Sequence, residues 1–142
     1  MADRLGFTLA RLGLSVSARL HTAMAVTGLK PRQCLAVMRL AEGPLNQLDL
    51  ARELDVDPSV LVAVLNDLEN RDLATRRRAP EDRRRHIVEI TERGRAVVAD
   101  LHHAIDTVEH DLFADLAPAD LTRLAGLLDR LGKTEDAPCS ED

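Results

Sequence analysis

The sequence predicts a mainly α-helical fold with one small β-hairpin, an α+β arrangement in a single domain. Apolar residues recur at helical spacing along most of the 142 residues. Only around 73–78 and 86–90 does the period shorten to that of a strand. The residues between these two stretches begin with Ala-Pro-Glu-Asp, which is turn chemistry. We therefore expect one hairpin with helices before and after it.

Two helices are predicted before residue 44. The first spans about 4–26, because apolar residues share one helical face, and Gly28 ends it. That face consists of Leu5, Leu9, Leu12, Val16 and Leu20. Pro31 suits the first turn of the second helix, and Gly43-Pro44 ends it. The predicted inward face of the second helix is Leu35, Met38 and Ala41.

Two short helices with strong start signals follow. Asn46 is placed to cap the first, which runs to about Leu54. Asp57 and Pro58 are placed as the cap and first residue of the second. Hydrophobic staples are predicted across both starts, and they pair Leu45 with Leu50 and Val56 with Leu61. About three residues separate the helices, which is a helix-turn-helix signature.

The second of these helices has an apolar face and a small, polar face. The predicted inward residues are Leu61, Val64, Leu65 and Leu68. At 100° per residue, the opposite face consists of Ser59, Val62, Ala63, Asn66 and Asn70.

The hairpin carries most of the positive charge of an acidic chain. Residues 76–86 read RRRAPEDRRRH. Between Arg71 and Arg95, nine arginines stand against five acids, a local net charge of +4, whereas the whole chain carries −5. Such a concentration predicts a localised anion-binding face. The alternative is a solvated charged hairpin.

Two further helices are predicted after the hairpin. Thr91 is placed to cap a long helix that runs to about Phe113, and Pro118 starts a last helix. The last helix carries a heptad-like row of Leu121, Leu124, Leu128 and Leu131. The apolar rows of the first and last helices are wide enough to predict pairing with a second copy of the chain. The alternative is that the two helices pack on each other within one chain.

Composition limits the function classes. No apolar run approaches the roughly 18 residues of a membrane span, so we expect no membrane partner. Two cysteines, Cys34 and Cys139, form no disulfide framework, which predicts a cytoplasmic protein. Phe7 and Phe113 are the only aromatic residues, so the stacking platforms typical of single-strand binders are missing. The sequence contains no glycine-rich phosphate loop, His-Glu-x-x-His or nucleophile elbow, so we expect no catalytic residues, no enzyme activity and no cofactor.

The order of elements and two linked motifs resemble the MarR family of bacterial transcriptional regulators. The likeness covers about residues 5–132. It is densest in LARELDVDPSVLVAVLNDLENRDL and APEDRRRHIVEITERGR, where Asp82-Arg83-Arg84 and the stretch 90–95 match the family's wing and the helix start after it. The resemblance implies a winged helix-turn-helix flanked by dimerisation helices. The implied regions are 1–28 (N-terminal dimerisation helix), 29–95 (DNA-binding region, wing about 74–90), 96–132 (long helix and C-terminal dimerisation helix) and 133–142 (disordered tail).

The resemblance implies a homodimer, predicted to be a repressor, on a pseudo-palindromic double-stranded DNA site. Each recognition helix would enter a major groove, and Arg84 would enter the minor groove with its guanidinium held by Asp82. The predicted DNA-contacting set is Asn46, Gln47, Ser59, Val60, Val62, Ala63, Asn66, Arg76, Arg77, Arg78, Asp82, Arg83, Arg84 and Arg85. The predicted dimer interface is Leu5, Leu9, Leu12, Val16, Leu121, Leu124, Leu128 and Leu131.

The sequence departs from the family pattern in ways that shift weight to the wing. An arginine often found near the position of Ala63 is missing, and Val62 stands where threonine is common. We therefore expect few direct base contacts from this helix. Asp72 replaces a helix-ending glycine, and we expect the turn to survive because Asp tolerates left-handed backbone.

The resemblance also implies control by a small-molecule effector, whose identity the sequence does not contain. Two features are candidate metal or redox sensors. His102, Asp106 and His110 have metal-ligand spacing along one helix, but a solvated face is favoured. For Cys34 a buried, inert thiol is favoured over a reactive one. The alternative functions are a winged helix that binds RNA or a protein, and a metal-responsive regulator.

Overall fold

The computed structural model describes residues 4–135, and the predicted fold class is confirmed. These residues form six α-helices, one 3₁₀ turn (Ala25–Thr27) and three short strands. In chain order the elements are α1 (Leu5–Met24), α2 (Pro31–Leu40), β1 (Leu45–Asn46), α3 (Gln47–Glu53), α4 (Pro58–Asn70), β2 (Ala74–Arg78), β3 (His86–Ile90), α5 (Glu92–Leu112) and α6 (Pro118–Glu135). The chain forms two compact units that divide after Val108. Within the described residues, no helix has the length and apolar character that would let it cross a membrane.

The first unit has one hydrophobic core beneath α4 and the hairpin. Burial of each large aliphatic side chain stabilises the fold by about 1.5–3 kcal/mol. The largest fully buried side chains come from α2, α3, α4, β3 and α5, and they include Leu40, Leu50, Leu61, Leu65, Leu68, Val88 and Leu101. All three predicted fully inward leucines of α4 are among them, and Val64 packs against this core.

The hairpin belongs to a three-stranded antiparallel sheet with the order β1-β3-β2. Arg76 is paired with Val88 and Arg78 with His86, while Leu45 of β1 is paired with Val88 on the other side. The sequence analysis did not predict β1. A strand of two residues has no measurable period, so only its pairing with β3 reveals it.

Most predicted helix boundaries are confirmed by the hydrogen bonds at the helix ends. Asn46 Oδ1 accepts from Leu48 N at 2.8 Å, which caps α3. Thr91 Oγ1 accepts from Gly94 N at 3.0 Å, which caps α5. Gly28, with φ 74°, follows the 3₁₀ turn that ends the first helix. Helix α4 does start at Pro58, but the Asp57 side chain makes no capping hydrogen bond, so that cap was wrongly predicted.

The predicted inward face of α2 was wrong for Leu35, whereas Met38 and Ala41 do pack against the core. The residues that α2 buries are Gln33, Cys34, Ala36, Val37 and Leu40. Leu35 is 50% exposed, and Met38 and Ala41 are only partly buried. Two small residues and an amide make the true inner face only weakly apolar, so the sequence pattern indicates the neighbouring face.

The last helix is longer than predicted. Helix α6 continues to Glu135, three residues beyond the region predicted to end at 132. The rest of the predicted tail, with Cys139, lies outside the described residues.

Candidate nucleic-acid interface

Helix α4 presents the outer face that its sequence predicts. Leu61, Leu65 and Leu68 are fully buried. The residues predicted for the opposite face are all exposed, and they are Ser59, Val62, Ala63, Asn66 and Asn70. Val60 is partly buried. The face is therefore small and weakly polar, with few groups able to form hydrogen bonds to a ligand.

Hydrogen bonds from Gln33 and Arg71 hold α4 and the residue after it against the segment around the start of α2. Gln33 is 4% exposed; its Nε2 donates to Asp67 Oδ2 at 3.0 Å, and its Oε1 accepts from Lys30 N at 3.0 Å. Arg71 Nη1 donates to the Gly28 carbonyl at 3.2 Å, just beyond the end of α4. A buried amide with both ends used holds its partners in one geometry. The sequence analysis did not predict Gln33 or Arg71, because their partners are about 34 and 43 residues distant along the chain.

The tip of the hairpin is closed by backbone hydrogen bonds and by Asp82. Ala79 N donates to the Arg85 carbonyl at 2.8 Å, and Arg85 N donates to the Asp82 carbonyl at 3.0 Å. Asp82 Oδ1 accepts from Arg84 N at 3.0 Å, while Asp82 Oδ2 lies 4.0 Å from Arg85 Nε.

This geometry corrects the predicted role of Asp82. We expected its carboxylate to hold the Arg84 guanidinium, but it holds the Arg84 backbone instead. The short Asp side chain reaches the N–H two residues further on more readily than a guanidinium at the end of a long side chain. Asp82 therefore shapes the turn that presents Arg84.

The hairpin arginines divide into paired and unpaired side chains. Arg76 Nε donates to Glu69 Oε1 at 2.5 Å, and Arg77 Nε donates to Glu89 Oε1 at 2.6 Å. Within residues 4–135, no ion pair engages Arg78, Arg83 or Arg84, and all three are exposed. The unpaired arginines thus lie at the end of β2 (Arg78) and in the turn (Arg83 and Arg84), whereas Arg76 and Arg77 are paired within β2 and Arg85 contacts Asp82 at 4.0 Å.

The hairpin is joined to α5 at a tight crossing. Asp72 has φ 60°, so the predicted left-handed turn before β2 is confirmed. Thr91 Oγ1 donates to the Asp72 carbonyl at 2.7 Å, and Thr91 N donates to the Leu73 carbonyl at 3.1 Å. Gly94 is buried at this crossing, where a Cβ would meet the Leu73 carbonyl oxygen at 2.2 Å. The Thr-x-x-Gly spacing therefore fixes the hairpin against the long helix.

A cleft beside α4 carries two cations that the sequence analysis did not single out. It has a volume of about 430 Å³ and lies between the start of α2 and α4. Lys30 and Arg32 are exposed there, next to Val60 and Ala63. The two cations stand singly in the sequence, so no charge run indicated them.

Asn46 and Gln47 are less available than the other predicted DNA-contacting residues. Both are partly buried, and the side-chain oxygen Oδ1 of Asn46 already caps α3. Gln47 Oε1 is buried without a hydrogen-bond partner among the described residues. Their contact with DNA stays a prediction.

A second cleft in the first unit is a candidate effector site. It has a volume of about 420 Å³ and lies between the end of the first helix and α5. Half of its lining is apolar and comes from Ala23, Val26, Ala104 and Val108; the polar side chains are Thr27, Asp100, His103 and Thr107.

The two sensor candidates have different outcomes. His102, Asp106 and His110 are exposed, and residues 4–135 contain no group of three or more His, Cys, Asp or Glu that could hold a metal ion. Cys34 is fully buried, as predicted, and its Sγ lies 3.9 Å from the Leu29 carbonyl. Burial raises the pKa of the Cys34 thiol, which favours the inert form.

Both terminal helices expose apolar side chains. On α1, Leu5 is 77% and Phe7 75% exposed, and Leu9 and Leu12 are about half exposed. On α6, Leu128 and Leu131 are about half exposed, whereas Leu121 and Leu124 are partly buried. Val16 on α1 is also partly buried.

Comparison with known proteins gives a consistent set of relatives. A sequence profile of the MarR family matches residues 27–85. A putative transcriptional regulatory protein for the hcr operon of Thauera aromatica is 35% identical over 133 residues, which cover 92% of this chain and 80% of that protein.

Solved structures agree over almost the whole chain. The transcriptional repressor CouR, bound to a 23-mer DNA duplex, is similar with a TM-score of 0.80 at 30% identity, covering 93% of this chain and 97% of that one. CouR from Rhodococcus jostii RHA1, bound to p-coumaroyl-CoA, is similar with a TM-score of 0.75 at 29% identity and covers 92% of each chain.

Proposed function

The chain belongs to the MarR family of transcriptional regulators, and on that premise we propose that it is a homodimeric repressor that binds pseudo-palindromic double-stranded DNA. One observation carries the proposal. The exposed face of α4 lies beside a hairpin whose Arg78, Arg83 and Arg84 have no ion pair within residues 4–135. Unpaired cations that flank a small-residue helix face suit a DNA groove and its phosphates. The relative CouR, solved on a DNA duplex, supports the same partner. A DNA partner supports a cytoplasmic location.

In the proposed complex, α4 enters the major groove and the hairpin reaches the neighbouring minor groove. A narrow minor groove concentrates negative potential, which favours an inserted arginine. Arg84 is the residue we assign to that groove, because it is exposed and the turn at Asp82 fixes its backbone. Arg78, Arg83 and Arg85 would contact phosphates on one side of α4, and Lys30 and Arg32 on the other.

Direct binding measurements test this proposal. Fluorescence anisotropy would compare DNA from upstream of the protein's own gene with a scrambled duplex. We expect tighter binding to the upstream DNA, and affinity that falls roughly 10³–10⁵-fold between about 50 and 200 mM salt if six to ten phosphates are contacted. Equal binding to both duplexes would contradict sequence-specific regulation at that site. No binding at low salt would direct the search to RNA or a protein partner.

Two substitutions rank the contributions of the hairpin and α4. We expect Arg84→Ala to cost more affinity than Asn66→Ala, because α4 offers few groups for base contacts. Arg123→Ala on α6 is the matched control for Arg84→Ala, since it removes the same charge from an exposed site outside the proposed DNA-contacting set. A larger loss for Asn66→Ala would contradict the ranking.

The homodimer is supported by the exposed apolar rows of α1 and α6, each within its own unit. A monomer of this size rarely leaves such rows in water. The two recognition helices of a dimer would bind half-sites about 10 bp apart, centre to centre. Sedimentation equilibrium should give twice the 15.6 kDa chain mass, and Leu12→Arg should reduce it towards one chain. A monomeric wild-type protein at micromolar concentration would contradict the dimer.

Effector control is supported by the second cleft and by the p-coumaroyl-CoA complex of CouR. The lining contains no Lys or Arg among the described residues, so we propose that the cleft takes the apolar part of an effector. Anisotropy with p-coumaroyl-CoA as the probe, and free CoA as the control, tests this. Release of DNA by the probe alone, lost in Ala104→Trp, would support the assignment. Retention of DNA with both compounds would argue against this ligand class.

A further inference from the structure

Asn66, on the outer face of α4, has one of its polar atoms occupied. Arg76 of β2 donates from Nη2 to Asn66 Oδ1 at 2.6 Å. The same guanidinium is held by Glu69, through Nε to Oε1 at 2.5 Å and through Nη2 to Oε2 at 3.3 Å. Asn66 and Glu69 lie three residues apart on one helix face, so a single guanidinium reaches both.

The identity of the occupied Asn66 atom follows from chemistry. Arginine has five N–H donors and no acceptor, so the Asn66 atom facing it must be the carbonyl oxygen. Arg76 thereby takes one of the two acceptor sites of Asn66 Oδ1, whereas Asn66 Nδ2 can only donate. The usual asparagine contact with adenine needs both atoms, because the amide oxygen accepts from the N6 amino group while the amide nitrogen donates to N7.

The sheet and helix hold this arrangement in place. Arg76 is paired with Val88, a fully buried residue, so strand alternation turns Arg76 towards the helix side of the sheet. The Arg76 side chain is 22% and the Glu69 side chain 32% exposed, so the ion pair is partly shielded from water. Arg77, next on the strand, faces the other way and forms an ion pair with Glu89.

We propose that Arg76, fixed by Glu69, makes Asn66 read the major groove mainly as a donor, which favours guanine or thymine over adenine and cytosine. Guanine presents N7 and O6, and thymine presents O4, as acceptors in the major groove. Cytosine presents only an amino group there, so it offers Nδ2 no acceptor. Adenine can still accept from Nδ2 at N7, but it loses the second bond of the usual pair if its N6 amino group finds no acceptor on Oδ1. Arg76 is thus a positioning residue. The inference rests on the proposed function, since it requires α4 to lie in the major groove.

Selection of binding sites from duplexes randomised across one half-site tests the inference. The full-length wild-type protein would be compared with Asn66→Ala, Arg76→Met and Arg77→Met. Methionine keeps the length of the arginine stem but donates no hydrogen bond. Arg77→Met is the matched control, because it removes the same charge from the same strand without touching Asn66. The position that Asn66→Ala makes indifferent identifies the base pair under Asn66.

At that position we expect the wild type to prefer guanine or thymine over adenine by about threefold to tenfold, the worth of one hydrogen bond. In Arg76→Met the preference should move towards adenine, because the acceptor site of Asn66 Oδ1 that Arg76 occupies is then open to the N6 amino group. Arg77→Met should weaken binding without changing the preference. Glu69→Ala should shift the preference in the same direction as Arg76→Met, which keeps the test valid if Arg76→Met folds poorly.

The remaining outcomes overturn the inference in distinguishable ways. If the wild type selects no sequence, the proposed function fails and the inference with it. If it selects a sequence but Asn66→Ala changes no position, the proposed function stands and the inference fails. A wild-type preference for adenine or cytosine under Asn66 also overturns it, as does an unchanged preference in both Arg76→Met and Glu69→Ala.

Discussion

Gly94→Ala should destabilise the protein, because the added methyl group has no space. A Cβ at this position would lie 2.2 Å from the Leu73 carbonyl oxygen and 2.6 Å from Ile90 Cγ1, whereas real Cβ atoms essentially never come within 3.0 Å. The nearest atom belongs to the backbone, and it also accepts from Thr91 N. Relief therefore requires the start of α5 to move away from the residue that leads into β2.

The size of the effect follows from three contributions. Overpacking against a rigid neighbour costs about 2 kcal/mol. Weakening the two Thr91 hydrogen bonds, to the Asp72 and Leu73 carbonyls, costs about 1 kcal/mol each. Alanine regains about 1 kcal/mol of helix propensity. The net loss is about 3 kcal/mol, or roughly 10 °C in Tm for a chain of this length.

Thermal and urea unfolding at equal protein concentration measure this loss. Gly126→Ala is the control, because Gly126 lies in α6 with nothing within 4 Å of the added Cβ, and it should be stabilised by up to about 1 kcal/mol. If Gly94→Ala melts within about 2 °C of the wild type, the close backbone approach does not constrain residue 94, and our account of the Thr-x-x-Gly spacing is wrong.

Three further predictions concern a thiol, an ion pair and the hairpin turn. In a Cys139→Ser background, folded protein should leave the buried Cys34 unlabelled by a thiol reagent, and labelling without denaturant would contradict its burial. The hydrogen bond from Arg39 lowers the pKa of Glu53, so this pair should stabilise the fold above about pH 4.5, and the stabilisation should be lost as pH falls through the lowered pKa. In Glu53→Gln the free energy of unfolding should therefore depend less on pH in this range. An unchanged pH dependence would exclude a contribution from the pair. Asp82→Ala should weaken DNA binding about fivefold, roughly the worth of one hydrogen bond. Asp82→Asn should lose less affinity, because an amide oxygen can still accept from Arg84 N. Equal losses of affinity for the two variants, measured by anisotropy, would assign the effect to charge.

The sequence was sufficient for the elements whose signals are local. Pro58 and Thr91 mark helix starts because capping and the fixed proline φ act within one turn. The hairpin followed from a change of period together with the turn residues. By contrast, β1 exists only through its pairing with β3, and the inner face of α2 depends on Gln33 meeting Asp67. Contacts between distant residues are not visible in a local pattern.

The candidate site was predictable as a set of residues, but its division into roles was not. The arginine run predicts a basic hairpin, yet the partners of Arg76 and Arg77 depend on strand register and on which side of the sheet each side chain faces. The role of Asp82 was also wrongly predicted, because a carboxylate two residues before an arginine has a backbone N–H and a guanidinium as competing partners. The backbone N–H is nearer, and only the turn geometry decides between them.

This division of roles separates affinity from specificity in the proposed complex. Arg78, Arg83 and Arg84 lack ion pairs within residues 4–135, so in that complex their phosphate and groove contacts would release counterions and dominate the salt-dependent affinity. The outer face of α4 offers Ser59 and an Asn66 that we propose reads mainly as a donor, and each would contribute about 1 kcal/mol. Because counterion release is the same on any duplex, raising the salt concentration should weaken binding to the specific and the scrambled duplex by the same factor. Discrimination between them then depends on the few hydrogen bonds from α4 and on the shape of the minor groove that Arg84 enters.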